Sequence, residues 1–168
     1  IPSIEARLMT DDGYVFNFVG VHPPPPSPTE EENSKERDGE LMCVAKKVKG
    51  YTDPTVVVGD FNTVAWSKVS TLFRKTSELV DPRIGRGLIS TFHADYKLFR
   101  FPIDQMFHSP NIYVQNFTVL KSFGSDHLPL YSEFIINEKI DIDEDRIETL
   151  KDDEMEEVEE LIKEGKEE

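Results

Sequence analysis

Thr55-Val56-Val57-Val58 is a short run of β-branched residues with no alternation to a polar face, the pattern of a strand buried on both sides. A strand of that kind needs cover on two faces, which the stacked layers of an α/β domain supply. The segments around it fit. Residues 4–9 and 14–21 flank an Asp11-Asp12-Gly13 turn and read as a β-hairpin, the second strand carrying Val15, Phe16, Phe18, Val19 and Val21. His22 follows at once, and Pro23 to Pro26 stop regular pairing beyond it. Residues 27–38 are polar and charged, a loop or the frayed start of a helix.

Residues 41–48 have helical spacing, with Leu41, Val44, Ala45 and Val48 on one face, and Gly50 ends the segment after lysines that suit a helix C-terminus. Residues 64–79 read as a second helix that turns Trp66, Val69, Leu72 and Phe73 toward the core. Asp81-Pro82, Gly85 and Gly87 make a loop, and residues 101–109, 117–120 and 130–136 read as strands. Strands alternating with two helices predict an α/β fold with mixed strand pairing.

The net charge of −14 is unevenly placed. Residues 138–168 carry 16 Asp and Glu against 5 Lys and Arg, whereas residues 1–137 carry 17 against 14. The expected organisation is therefore a body over 1–137 and an acidic, partly helical tail over 138–168. Within the tail, Ile147, Leu150, Met155, Val158, Leu161 and Ile162 recur near helical spacing. They make either an amphipathic helix that docks on the body or a partner, or a solvated charge run, and the solvated tail is the plainer reading. A nearly balanced body has no global cationic field to gather polyanions, which disfavours a nucleic-acid binding module. Cys43 stands alone, so no intrachain disulfide can form. The longest apolar runs are short strands, too short to span a membrane, and no signal peptide is visible in a chain that begins at Ile1. The compartment is left open.

Two stretches carry most of the chemistry. Gly59-Asp60-Phe61-Asn62 closes the β-branched run, and Ser125-Asp126-His127-Leu128-Pro129 precedes the strand at 130–136. Strand ends in α/β folds hold reactive groups rigidly while leaving them open to substrate. Asp60 can hold Mg²⁺ or take a proton from water, and Asn62 can fix that carboxylate or a phosphate oxygen. Gly-Asp-x-Asn is equally good turn chemistry. Asp126 and His127 are neighbours whose side chains point apart in extended backbone, so one can reach a metal and the other a phosphate. Asp104 interrupts the apolar stretch Phe101-Pro102-Ile103-Asp104-Gln105-Met106-Phe107 and needs a partner there. His127 is a natural one, because a carboxylate on one ring nitrogen fixes the tautomer of the other, with Arg100 or a backbone amide as alternatives. His22 ends a strand as Asp60 does and can donate to a phosphate oxygen. His93 and His108 carry no such context.

Taken in order, Gly20-Val21-His22-Pro23, Val58-Gly59-Asp60-Phe61-Asn62, Ile103-Asp104 and Gly124-Ser125-Asp126-His127-Leu128-Pro129 resemble the motifs of the endonuclease/exonuclease/phosphatase superfamily. The resemblance covers residues 4–136 and implies the last half to two-thirds of the usual domain. It implies a four-layer α/β sandwich of two mixed β-sheets flanked by helices, and Mg²⁺- or Mn²⁺-dependent phosphoester hydrolysis by in-line attack of water. Carried over by motif, Asp60 activates or orients that water with Asn62 in support, and Asp126 joins Asp60 as a metal ligand. His127 stabilises the phosphoryl oxygens, Asp104 holds its ring, and His22 contacts phosphate from the opposite wall. The substrate implied is a phosphoester, whether nucleic acid, phospholipid or small phosphodiester. Two departures stand out. Nothing before His22 matches the family's early Asn and metal-binding Glu, since Glu5 sits in the outer strand of the hairpin. Gln105 stands where many members carry His or an aromatic residue, which would alter the pocket wall. A non-catalytic binding module that engages a partner through the acidic tail is the alternative.

Overall fold

The structure is a computed structural model that describes residues 3–25, 31–136 and 147–166. Pro26, positions 27–30 of the polar stretch, and the start of the acidic segment at 137–146 lie outside the described residues. The hairpin forms as expected: β1 (Ser3–Met9) pairs antiparallel with β2 (Val15–Val21). Helix α1 (Glu31–Lys49) then crosses to β3 (Thr55–Asp60), which lies parallel to β2, and α2 (Lys68–Ser77) leads toward β4 (Asp104–His108), antiparallel to β3. These strands make one mixed sheet in the order β1-β2-β3-β4. A second sheet is the antiparallel pair β5 (Ile112–Val119) and β6 (Leu130–Ile136).

Strand alternation sorts the mixed sheet into two cores. Val19, Val21, Val57 and Phe107 pack against Leu41, Met42, Ala45 and Val48 of α1 and Leu72 and Phe73 of α2. Phe16, Val56 and Met106 point the other way, onto Ile112, Val114, Phe117 and Ile136 of the second sheet. The β-branched run is thus buried on both faces, and the layers run helices, sheet, sheet among the described residues. This is the α/β class the sequence predicts.

Three expectations shift. Helix α1 begins ten residues before the apolar stripe that reveals it, because its first half is polar and carries no stripe to read. Trp66 does not face the core: it is 60% exposed, since α2 starts only after Ser67, whose hydroxyl accepts from the Ser70 N–H at 3.0 Å as an N-cap. The strand expected at 117–120 starts at Ile112, and a bulge between Val114 and Asn116 breaks its alternation.

Among the described residues, the acidic segment is docked rather than solvated. Helix α3 (Asp152–Glu164) buries Val158 and Ile162 in the core shared with α1 and α2. Gly39 of α1 allows the approach, since a Cβ there would stand 2.5 Å from the Leu161 carbonyl. The acidic side of α3 meets lysines: Glu157 lies 2.6 Å from Lys68, Glu154 pairs with Lys75 of α2, and Glu159 with Lys46 of α1. Asp152, Asp153 and Glu154 sit in its first turn, where the helix dipole favours negative charge. Leu150, Val158, Leu161 and Ile162 of the apolar stripe offered for a partner are therefore spent within the chain, while Met155 is exposed. No helix among the described residues is long and apolar enough to cross a membrane.

Candidate active site

Parallel pairing of β2 and β3 puts their C-terminal ends side by side, Val21 opposite Gly59. The residues that follow, His22 and Asp60, emerge together, with His22 Nε2 3.9 Å from Asp60 Oδ2. Gly59 makes this possible. A Cβ on it would fall 1.9 Å from the Val21 carbonyl oxygen, so no other residue fits without moving β2. Antiparallel β4 brings Asp104 directly opposite Asp60. Directly opposed residues share a face, and Asp60 and Asp104 have the parity of Val56 and Met106, which face the second sheet.

His127 arrives from that second sheet. It lies in the loop before β6, held by a bridge between its backbone and Phe92, whose ring is 4.9 Å from the imidazole. Its Nδ1 is 2.7 Å from Asp104 Oδ2, and its Nε2 is 3.8 Å from Asp60 Oδ2. Three residues drawn from β3, β4 and a distant loop thus bring ligand atoms within 4.8 Å of one another.

Asn62 closes the turn after Asp60. It adopts a left-handed φ of 50°, its N–H donates to Asp60 Oδ1 at 2.8 Å, and its side-chain amide donates to the Pro23 carbonyl at 2.9 Å. The amide therefore ties the β2 and β3 ends together. His22 is exposed, and Asp126 is exposed on the rim, its carboxylate 3.5 Å from the Ser125 hydroxyl and outside the three-residue cluster.

Burial pushes the Asp60 carboxyl above its ordinary range, against the Asn62 N–H that lowers it, and the Asp104 charge adds to the rise. Burial alone would depress His127, but the hydrogen bond it donates to Asp104 and the charges of Asp104, Asp60 and Asp126 outweigh it and raise the imidazole. Two carboxylates facing each other across a strand pair repel, so the site favours a cation or a protonated imidazole. The oxygen donors fit a hard divalent ion, which needs one or two carboxylates and takes its remaining ligands from water and phosphate. Asp60 Oδ2 is suited to that role, lying beyond hydrogen-bond reach of both imidazoles.

Gln105 does not line the pocket. With Phe107 it faces the helices, fully buried, and its amide donates to the Thr63 carbonyl and the Ser70 hydroxyl, both at 2.8 Å. Strand parity was the signal for this: Gln105 sits one residue from Asp104 and must point the opposite way. Glu5 lies away from the cluster on edge strand β1, bonded to Lys47 and Tyr51. His108 is buried, its Nδ1 2.9 Å from the Ser109 carbonyl, and the His93 ring meets Phe92 at a tilt and Tyr96 edge-on.

The sequence model of the Endonuclease/Exonuclease/phosphatase family matches residues 2–127. The chain belongs to this family. No curated protein sequence matches it. Among solved structures, a mannosyl-6-phosphatase from Bacteroides thetaiotaomicron aligns over 80% of this chain and 57% of its own, with 19% identity and a TM-score of 0.61. The human Nocturnin catalytic domain with bound sulfate anion aligns over 80% and 53%, at 21% identity and a TM-score of 0.61. D. rerio TDP2 complexed with single strand DNA product aligns over 79% and 61%, at 16% identity and a TM-score of 0.61. At these identities the likeness is one of fold. The chain spans little more than half the length of these endonuclease/exonuclease/phosphatase structures.

Proposed function

We propose that this chain carries the water-activating and phosphoryl-binding side of a divalent-metal-dependent phosphoester hydrolase. The observation that supports it best is the Asp104–His127 pair at 2.7 Å with the free imidazole nitrogen turned toward Asp60. A carboxylate on Nδ1 leaves Nε2 as the reacting nitrogen, and the rise in the imidazole pKa favours the protonated form that can donate to a phosphoryl oxygen. Asp60, raised by burial, is a better base than an ordinary carboxylate and orients the attacking water, while the Asn62 N–H fixes its other oxygen. Exposed His22 approaches the same phosphate from the other side. Asp60 and Asp126 would hold Mg²⁺ or Mn²⁺, which supplies Lewis-acid charge at the phosphoryl oxygens when bound. The substrate is a phosphoester.

The test uses the longest natural form of the protein and a chromogenic phosphodiester. Asp60→Ala and His127→Ala should each cut Mg²⁺-stimulated hydrolysis by about 10²–10⁴-fold, the usual worth of a positioned acid or base. Wild-type rates from either variant end the assignment.

A further inference from the structure

The Asp60–Asn62 turn is held from behind by side chains that never reach the site. Arg37 lies on α1, buried, and its Nη1 donates to the Asn62 carbonyl at 3.0 Å while its Nε donates to Asp38 Oδ1 at 2.7 Å. Gln105 on β4 captures the next carbonyl, that of Thr63. Gln105 is in turn fixed by Arg83, whose Nη2 donates to its Oε1 at 3.1 Å, and Arg83 is clamped on Asp81 through Nε and Nη2 at 2.8 and 2.6 Å. Between them Phe61 is wedged against Phe73 and Phe107, and its N–H donates to the Ile103 carbonyl at 3.0 Å. A buried guanidinium and a fully buried amide are costly unless hydrogen-bonded, and here two consecutive carbonyls of the turn supply the partners, so the two side chains and that backbone hold one another in place.

We propose that Arg37 and Gln105 are positioning residues for Asp60. By drawing the Asn62 and Thr63 carbonyls into the helix side of the sheet, they hold Asn62 in its left-handed conformation. That conformation leaves the Asn62 N–H on the opposite side, where it donates to Asp60 Oδ1. Freed from either anchor, an asparagine relaxes toward negative φ and swings its N–H off the carboxylate. The kinetic consequence rests on the hydrolase reading, whereas the structural one does not.

The experiment compares Gln105→Met, close to isosteric, and Arg37→Met with the wild-type chain. Because Arg37→Met strands Asp38, the double variant Arg37→Met/Asp38→Asn serves if the single one does not fold. Amide hydrogen exchange is read at Asn62 and, as an internal reference, at Val57 in β3, the strand that leads into the turn. The expected result is exchange at Asn62 about tenfold faster or more with Val57 unchanged, a local opening rather than a global one. In the longest natural form, kcat should fall about 10–100-fold with KM nearly constant, as for a small misplacement of a reacting group. Arg37→Lys, which keeps a cation for Asp38 and a donor for the carbonyl, should recover most of both. Unchanged exchange at Asn62 in both variants overturns the proposal, as does equal acceleration at Val57, since the two residues would then only support the fold. A wild-type protein without hydrolysis, but with selective loss at Asn62, sinks the hydrolase reading and leaves the positioning role standing.

Discussion

Asp104→Asn keeps the shape of the His127 partner and removes only its charge, so it isolates what that charge does. A hydrogen bond to a charged group is worth about 1.5–3 kcal/mol and a neutral one about 0.5–1.5, so the substitution should cost roughly 1–2 kcal/mol while His127 is protonated. Both side chains are mostly buried, 20% and 27% exposed, so solvent screens the pair only in part. For a chain of this size the loss amounts to about 3–6 °C in Tm. The sign of the pH dependence follows from the raised imidazole. A raised folded pKa gives stability that is complete below the ordinary value of 6.5 and is lost as pH climbs through the folded midpoint. Above that midpoint Asp104 and Asp60 face each other without a cation, and neutralising one of them is favourable. Asp104→Asn should therefore destabilise near pH 6 and lose most of its penalty, or reverse it, at a pH above the folded midpoint. Melts in chelating buffer at both pH values, with NMR titration of the imidazole, measure this directly. The His127 midpoint should fall in the variant, because burial then acts with less opposition. A midpoint that stays or rises, or a penalty that grows with pH, would refute the electrostatic account.

Gly59→Ala should cost about 3 kcal/mol or more, or prevent folding, because the added methyl meets the Val21 carbonyl; chemical denaturation checks it. Val158→Ala and Ile162→Ala should each cost about 2 kcal/mol by removing buried methyl groups from the α3 seam, and urea midpoints unchanged by both would mean that α3 does not dock. Mg²⁺ at about a hundredfold over its dissociation constant should stabilise the chain by about 2.7 kcal/mol and leave Asp60→Ala unmoved, read by thermal melts. A shift that survives in Asp60→Ala would place the ion elsewhere.

What the sequence determined by itself is local. The alternation of Val15 to Val21 and the Asp-Asp-Gly turn specified a hairpin, the β-branched run specified a doubly buried strand, and the apolar stripe from Leu41 to Val48 specified a helix. Each depends on periodicity or turn chemistry within a few residues. The same logic failed where a local pattern is interrupted: the bulge at Val114 shifts the alternation by one, and Trp66 precedes the Ser67 cap rather than following it. Asp60, Asp104 and His127 were legible as candidates because a polar group at a strand end, or inside an apolar one, needs a reason. Their meeting was decided only by tertiary structure. It takes the parallel register of β2 on β3, the antiparallel register of β4, and a loop from the second sheet to bring together Asp104 and His127, 23 positions apart in the chain. Tertiary structure likewise made Asp152–Glu164 of the acidic segment a docked helix, since the lysines that meet its glutamates lie on α1 and α2, far away in the chain. Periodicity tells which face of an element is apolar, but only packing against the other layers tells what that face will meet.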